Sequence, residues 1–375
     1  MRVSPDKVTD HPRLIKKLVY LAPLLVALLP ALSFAAAEWT HNSLIMIGLT
    51  PFVLFVVVPI LDWIIGRDSS NPSASDSASL TAQRYYRLLP MLCLPAYVFT
   101  LSFGAWVIAN ETMSPPMMLG WSISVGLVGG IVAINPAHEL IHKPSGVERW
   151  IGGTLLAMVS YGTFKVEHIA GHHVDVATPK DLTTARMGQT VFGFIARSIT
   201  HNPIRAIALE QAACTQRGKS WRWYTSESLG WAAMSVGFGF LCAWIVSRSA
   251  LHASWLGGVY FVAQSLIAIA LLEIVNYIEH YGLTRRIDGA DDGSIQFERV
   301  NHRHSWNADF VLTNALLFQL QRHSDHHAHG FRRYQALQHH PDSPQLPAGY
   351  ATMVLVALIP PLWFRVMDPR VPKPI

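Results

Sequence analysis

Six stretches of the 375-residue chain are apolar for long enough to constrain everything else about it. An α-helix rises about 1.5 Å per residue, so crossing a hydrocarbon core of about 30 Å takes roughly 17–25 mostly apolar residues. Residues 18–37, 44–65, 88–109, 117–137, 229–246 and 256–275 each meet that length. Only 14% of the chain is charged and 51% is apolar, against roughly 25% charged in a soluble domain. That apolar content excludes disorder. Cys93, Cys214 and Cys242 lie far apart, which excludes a disulfide scaffold and an iron–sulfur centre of the chain's own. The expected fold class is an all-α integral membrane protein. It is read as one membrane-embedded domain over residues 1–375, with six transmembrane helices and a cytoplasmic histidine-rich cap.

The first window runs straight into a second apolar stretch and lacks a small-residue cleavage site followed by polar sequence, so it reads as an anchor helix. Pro23, Pro30, Pro59 and Pro95 fall inside these windows. In lipid, neighbouring helices satisfy the carbonyls such prolines free. Lys and Arg set the orientation. The connections 38–43, 110–116 and 247–254 hold Arg248 alone of the 29 basic residues, which places both termini on the cytoplasmic side. Residues 138–228 and 276–364 are then cytoplasmic segments, and 365–375 a proline-rich tail. Residues 67–83 read as a mobile, serine-rich hairpin loop. The apolar runs 150–164, 187–200 and 351–364 are too short to span and suit interfacial helices. There is no internal repeat, dinucleotide fingerprint or phosphate-binding loop, and a net charge of +5 gives no sign of nucleic-acid binding.

The 18 histidines are clustered. His138-Glu-Leu-Ile-His142, Glu167-His168-Ile-Ala-Gly-His172-His173, Glu279-His280 and His323-Ser-Asp325-His326-His327-Ala-His329 form four groups. On an α-helix, H-x-x-x-H puts two imidazoles on one face, one turn apart. An adjacent third ring, about 100° round, is available to a second metal. His138, His142, His168, His172, His173, His280, His323, His326 and His327 suffice for two metal ions with open positions. The first and third clusters end the fourth and sixth spans, and the other two lie in cytoplasmic stretches. All four therefore meet at the cytoplasmic membrane boundary.

Ligating imidazoles commonly donate their other N–H to a carboxylate or carbonyl. Glu139, Glu167, Asp175, Glu279 and Asp325 stand beside the clusters for that role. His302, His304 and His329 are further candidates around the ligands, while the isolated histidines carry the ordinary expectation of a structural residue. Imidazole alone does not choose among zinc, copper, nickel and iron.

The motifs HELIHK, EHIAGHH, NYIEHYGL and LQRHSDHHAH resemble the signature set of membrane-bound alkane 1-monooxygenases. Three histidine boxes are shared with the wider class of integral-membrane desaturases and hydroxylases. NYIEHYGL and LQRHSDHHAH belong to its alkane and xylene side. The resemblance runs from His138 to Tyr334 and implies a non-haem di-iron site held by the nine histidines. It implies O2 as co-substrate and oxygen insertion at the terminal carbon of a medium-chain n-alkane. Electrons would come from NADH through rubredoxin reductase and rubredoxin, with no flavin, haem or nicotinamide bound to this chain. The enzyme would sit in the cytoplasmic (inner) membrane with its active site on the cytoplasmic side.

An alkane has no group to hydrogen-bond, so burial and shape are its only handles, at roughly 0.8 kcal/mol per methylene. Leu54, Phe55 and Val58 on the second span and Trp121 on the fourth are candidate channel residues. Residues 143–228 hold 10 basic against 6 acidic side chains. Arg217, Lys219, Arg222, Arg332 and Arg333 are candidates for a rim that docks an acidic electron donor, although inner-leaflet lipid explains the same charges equally well. A fatty-acyl desaturase or hydroxylase and a xylene-type methyl hydroxylase use the same metal logic. A divalent-metal transporter would place its ligands near the bilayer midplane, and a metal sensor would not need nine of them.

Overall fold

The computed structural model describes residues 17–289 and 295–372. Residues 1–16 of the expected cytoplasmic N-terminus and 373–375 of the expected tail lie outside them.

Helices α1 (Lys17–Val26) and α2 (Leu29–Thr40) are bent by 60° about residues 27–28. The first window is therefore a broken pair and not the straight span expected. Pro30 has no N–H to donate to the carbonyl four residues back, and its ring crowds that carbonyl, so the helix breaks just before it. Among the described residues five helices are long and apolar enough to cross a membrane, or six with the bent pair counted as one span. The unbroken ones are α3 (Ser43–Ile65), α5 (Arg84–Asn110), α6 (Pro115–Ile141), α10 (Glu227–Ser247) and α11 (Trp255–His280).

Between α3 and α5 the serine-rich stretch is not the open loop expected, because it carries α4 (Ala74–Ala82). Ser73 caps it, accepting from the Asp76 amide at 3.1 Å and donating to the Asp76 carboxylate at 2.8 Å. Helix α7 (Gly146–Ala157) and the contiguous helical residues 164–175, here α8, follow α6. Helix α9 (Val191–Gln216) then leads to α10. Beyond α11, strands β1 (Ile287–Gly289) and β2 (Ile295–Phe297) pair antiparallel, Ile287 opposite Phe297. Helices α12 (Val311–Leu316), α13 (His323–Ala328), α14 (Tyr350–Ala357) and α15 (Pro360–Met367) complete the chain. Residues 365–367 thus belong to α15 and Asp368–Arg370 to a 3₁₀ turn, so most of the expected proline-rich tail is ordered helix.

The spans pack through small residues and satisfied polar groups, as the absence of water in a bilayer requires. A Cβ on Gly126 of α6 would lie 2.6 Å from the Gln264 carbonyl of α11, so only glycine lets these two backbones approach. Gln264 is fully buried. Its side chain accepts from the Tyr97 hydroxyl at 2.6 Å and donates to the Met158 carbonyl at 3.2 Å.

Three π-helical segments interrupt the helices: Val53–Val57 in α3, Gly130–Ile134 in α6 and His168–His172 in α8. The first two end two residues before Pro59 and Pro136. A proline there would clash with the carbonyl four residues back, which lies within the π segment, and the wider turn accommodates it. No proline explains the third.

Candidate metal centre

The C-terminal ends of α6 and α11 and the short helices α8 and α13 deliver all nine clustered histidines to one place. They fall into two sets: His138, His142, His168, His173 and His326, and then His172, His280, His323 and His327. Within each set one nitrogen per ring lies within 4.8 Å of all the others. In the first set His142 Nε2 is 3.0 Å from His168 Nε2, and His173 Nε2 is 3.1 Å from both His168 and His326 Nε2. In the second, His323 Nε2 stands 3.2 Å from His280 Nε2 and 2.9 Å from His327 Nε2. Imidazole nitrogens about 2.1 Å from a metal and at right angles to one another are about 3.0 Å apart, so rings at these spacings could share one metal ion.

The division corrects a simple helical reading. On an α-helix His168 and His172 would share a metal, yet they fall in different sets, and His168 instead joins His173. A π turn brings residues five apart into register, and His168–His172 is such a turn. The ordinary helix α13 keeps His323 with His327, four apart, and sends His326 to the other set.

The chemistry of the donors fits a pair of cations. Burial holds the imidazoles of His168, His173, His323, His326 and His327 well below their usual pKa, leaving neutral rings with a lone pair to offer. His172 differs. Burial disfavours its cation, but the Asp181 carboxylate, 2.9 Å from Nδ1, raises it and is itself held low. Its Nε2 is buried without a partner and belongs to the set of four. A carboxylate fixing one ring nitrogen while the other points at a cation site is a usual support for a metal-bound histidine. His280 is held likewise, Nδ1 donating to the His304 carbonyl at 3.2 Å.

Of the carboxylates singled out in the sequence, Glu279 alone touches one of the nine rings, its Oε2 lying 3.2 Å from His323 Nε2. The others turn elsewhere. Glu139 pairs with Lys143 at 3.0 Å, and Asp175 with Arg205 at 2.6 Å. Glu167 also takes Arg205, at 3.2 Å, and burial and the Asp181 charge push its carboxyl up to about 7. Asp325 receives Arg332, the Gln338 amide, His340 and His329, bracing the loop beyond α13. His304 supports His280 by its carbonyl while its ring meets Glu298. His302 stacks on His340, and His329 is largely exposed. Asp181 was not singled out. It lies in non-helical sequence eight residues past His173, where no periodicity marks it.

A cavity reaches from His138 into the span bundle, lined by α3, α6, α11, α12 and α14, with His138 and Glu279 at its inner end. Leu54, Phe55 and Val58 line it. Trp121 does not. It is fully buried, and its indole donates to the Gly104 carbonyl at 3.0 Å, so it is a helix-packing residue. The expected docking rim divides in the same way. Arg217, Lys219 and Arg222 are exposed beyond α9. Arg332 and Arg333 are held in ion pairs with Asp325 and Glu148 and do not present a free rim.

Comparison with known proteins agrees with this centre. Residues 113–357 match the fatty acid desaturase family model. Alkane 1-monooxygenase 2 of Alcanivorax borkumensis is 43% identical over 95% of this chain and 91% of its own. Alkane 1-monooxygenase 2 of Pseudomonas aeruginosa is 46% identical over 85% of this chain and 82% of its own. The xylene/toluene monooxygenase hydroxylase component XylM of Pseudomonas putida is 26% identical over 84% and 79%. With two histidine sets, the first reaching an apolar cavity through His138, and relatives of this closeness over most of its length, the chain belongs to the alkane 1-monooxygenase family, within the fatty acid desaturase class of membrane enzymes.

Proposed function

We propose that this enzyme hydroxylates the terminal carbon of medium-chain n-alkanes, using O2 and electrons supplied by rubredoxin. The observation that carries the reading is a largely aliphatic cavity that reaches His138 of the set of five and Glu279, the carboxylate beside His323 of the set of four. In the balanced reaction an alkane, O2, two electrons and two protons give a 1-alkanol and water. Two iron ions held by the sets of five and four histidines would supply the O2 activation.

The chain's own residues do the rest. Leu54, Phe55, Val58 and the facing residues of α6 and α11 bind the substrate by burial alone. A straight chain lying along this cavity with one end at His138 presents its last carbon to the histidines, so terminal selectivity follows from shape. The apolar walls exclude water from the reacting carbon, and Asp181 and the His304 carbonyl orient His172 and His280.

The electron donor is external, since Cys93 and Cys242 are buried and unpaired and Cys214 stands apart from both. Exposed Arg217, Lys219 and Arg222 suit an acidic rubredoxin. The enzyme is placed in the inner membrane with the histidines on the cytoplasmic side, where the basic segments lie. An acyl-CoA substrate would call for a cationic recognition site, and no Lys or Arg is among the described residues lining the cavity. A transporter reading is disfavoured by ligands at the span ends. The test is turnover of n-octane by iron-loaded membranes with NADH, rubredoxin and rubredoxin reductase, read by gas chromatography. 1-Octanol formed only with O2 and the full electron chain supports the proposal. No product from a preparation holding two irons per chain refutes it.

A further inference from the structure

The inner end of the cavity is not wholly apolar. Asn135 and His138 lie three residues apart on α6, and Asn276 and Glu279 three apart on α11, so each pair shares a helix face. All four line the cavity. Most polar groups there are engaged. Glu279 Oε1 accepts from the Tyr350 hydroxyl at 2.9 Å, and Thr313 is bonded to Asp62. Asn276 Nδ2 donates to Glu273 Oε2 at 3.3 Å, which leaves its Oδ1 as an acceptor. Asn135 is 5% exposed, and its Nδ2 has no partner. Among the described lining residues it is the one with a buried side-chain polar atom left unpaired.

A buried amide donor without an acceptor keeps its full desolvation cost. An alkane cannot relieve it, whereas the alkanol made from that alkane can. We propose that Asn135 and Asn276 form a hydroxyl-recognition subsite at the histidine end of the cavity. The oxygen of a primary alkanol accepts from Asn135 Nδ2, and its O–H donates to Asn276 Oδ1. A carboxylate would meet acceptors on Asn276 and Glu279 and is excluded. The enzyme thus retains the alkanol in the register of the alkane, and alkanols compete with substrate more strongly than their apolar isosteres do. This rests on the alkane reading above.

The test compares three ligands of equal length, 1-octanol, 1-methoxyheptane and n-nonane, as competitors of n-octane turnover at equal mole fraction in the membrane. A net gain of one neutral hydrogen bond corresponds to about fivefold in affinity. 1-Octanol is expected to inhibit at about fivefold lower concentration than the ether, which lacks the donor, and lower still than n-nonane. Asn135→Leu should bring the ether level with n-nonane, while 1-octanol, which still donates to Asn276, keeps about its fivefold advantage over the ether. Should that variant fold poorly, the wild-type ligand series decides alone. Retention of the same ligands by metal-free protein, read by native mass spectrometry, must give the same order and does not depend on turnover. Equal inhibition or retention by all three overturns the subsite while leaving alkane hydroxylation standing. Absence of n-octane conversion overturns the alkane reading, and the retention order still decides the subsite.

Discussion

Replacing Asp181 by asparagine changes a residue that reaches the metal centre only through His172. Its Oδ2 accepts from His172 Nδ1 at 2.9 Å and from the Thr184 hydroxyl at 2.6 Å. Its Oδ1 accepts from the Thr183 amide at 3.0 Å and faces Arg205 at 3.4 Å. Every partner is a donor, and all but Arg205 are buried. An asparagine offers one acceptor in place of two, so its amide must face either His172 Nδ1–H or the Thr183 N–H. One bond is lost in either case, together with the charge that fixes the His172 tautomer. Loss of such a support lowers metal affinity by about 10–100-fold, or about 1.4–2.7 kcal/mol. The effect should be confined to the set of four, since Asp181 bonds to no ring in the set of five. The assay is iron per chain, by emission spectroscopy, across a graded chelator series. Asp181→Asn should surrender one iron at about 10–100-fold lower free chelator, with the second released as in wild type. Release curves that coincide with wild type in folded protein refute the role of Asp181. Equal displacement of both irons refutes the independence of the two sets.

Three further outcomes follow from the same geometry. His327→Ala should abolish 1-alkanol formation while the protein still inserts and is recovered from membranes at wild-type yield; residual activity above about a hundredth of wild type would remove it from the ligand set. Val58→Trp should shorten the preferred alkane, each excluded methylene costing roughly fourfold at about 0.8 kcal/mol, as read from a chain-length series by gas chromatography; an unchanged profile would take α3 out of the channel wall. Trp121→Phe should leave that profile unchanged and cost about 1 kcal/mol as the Gly104 carbonyl loses its donor, as read from thermal stability in detergent.

The spans were legible because a bilayer admits few solutions, and every unbroken helix of span length falls within a few residues of its apolar window. The histidines were legible because helical spacing is written in the sequence. Elsewhere the information lies between distant parts of the chain. Nothing local shows that Asp181 folds back on His172, or that Arg332 turns inward to Asp325. Trp121 was misplaced because an indole in an apolar span looks like a cavity wall until its N–H is seen on Gly104. Two features were readable in principle. Pro30 marks the break in the first window, and Ser73 with Asp76 marks the start of α4.

The π turn Gly130–Ile134 has a consequence for how this chain can change. Above it and at its first residue, Gly126, Gly129 and Gly130 seat α6 against its neighbours, with a Cβ at these positions meeting Gln264, Tyr97 and Leu271. Below it, Asn135 and His138 face the cavity. One surplus residue in the turn sets the phase between these halves. Deleting it would restore a regular helix and swing the lower half by about 100° relative to the upper, carrying His138 out of its histidine set while every other side chain kept its identity. Substitution can widen or narrow the cavity by degrees, but a change of length in this turn is all or nothing. The spacing of the turn is therefore as much a part of the catalytic inheritance as the histidines it aims.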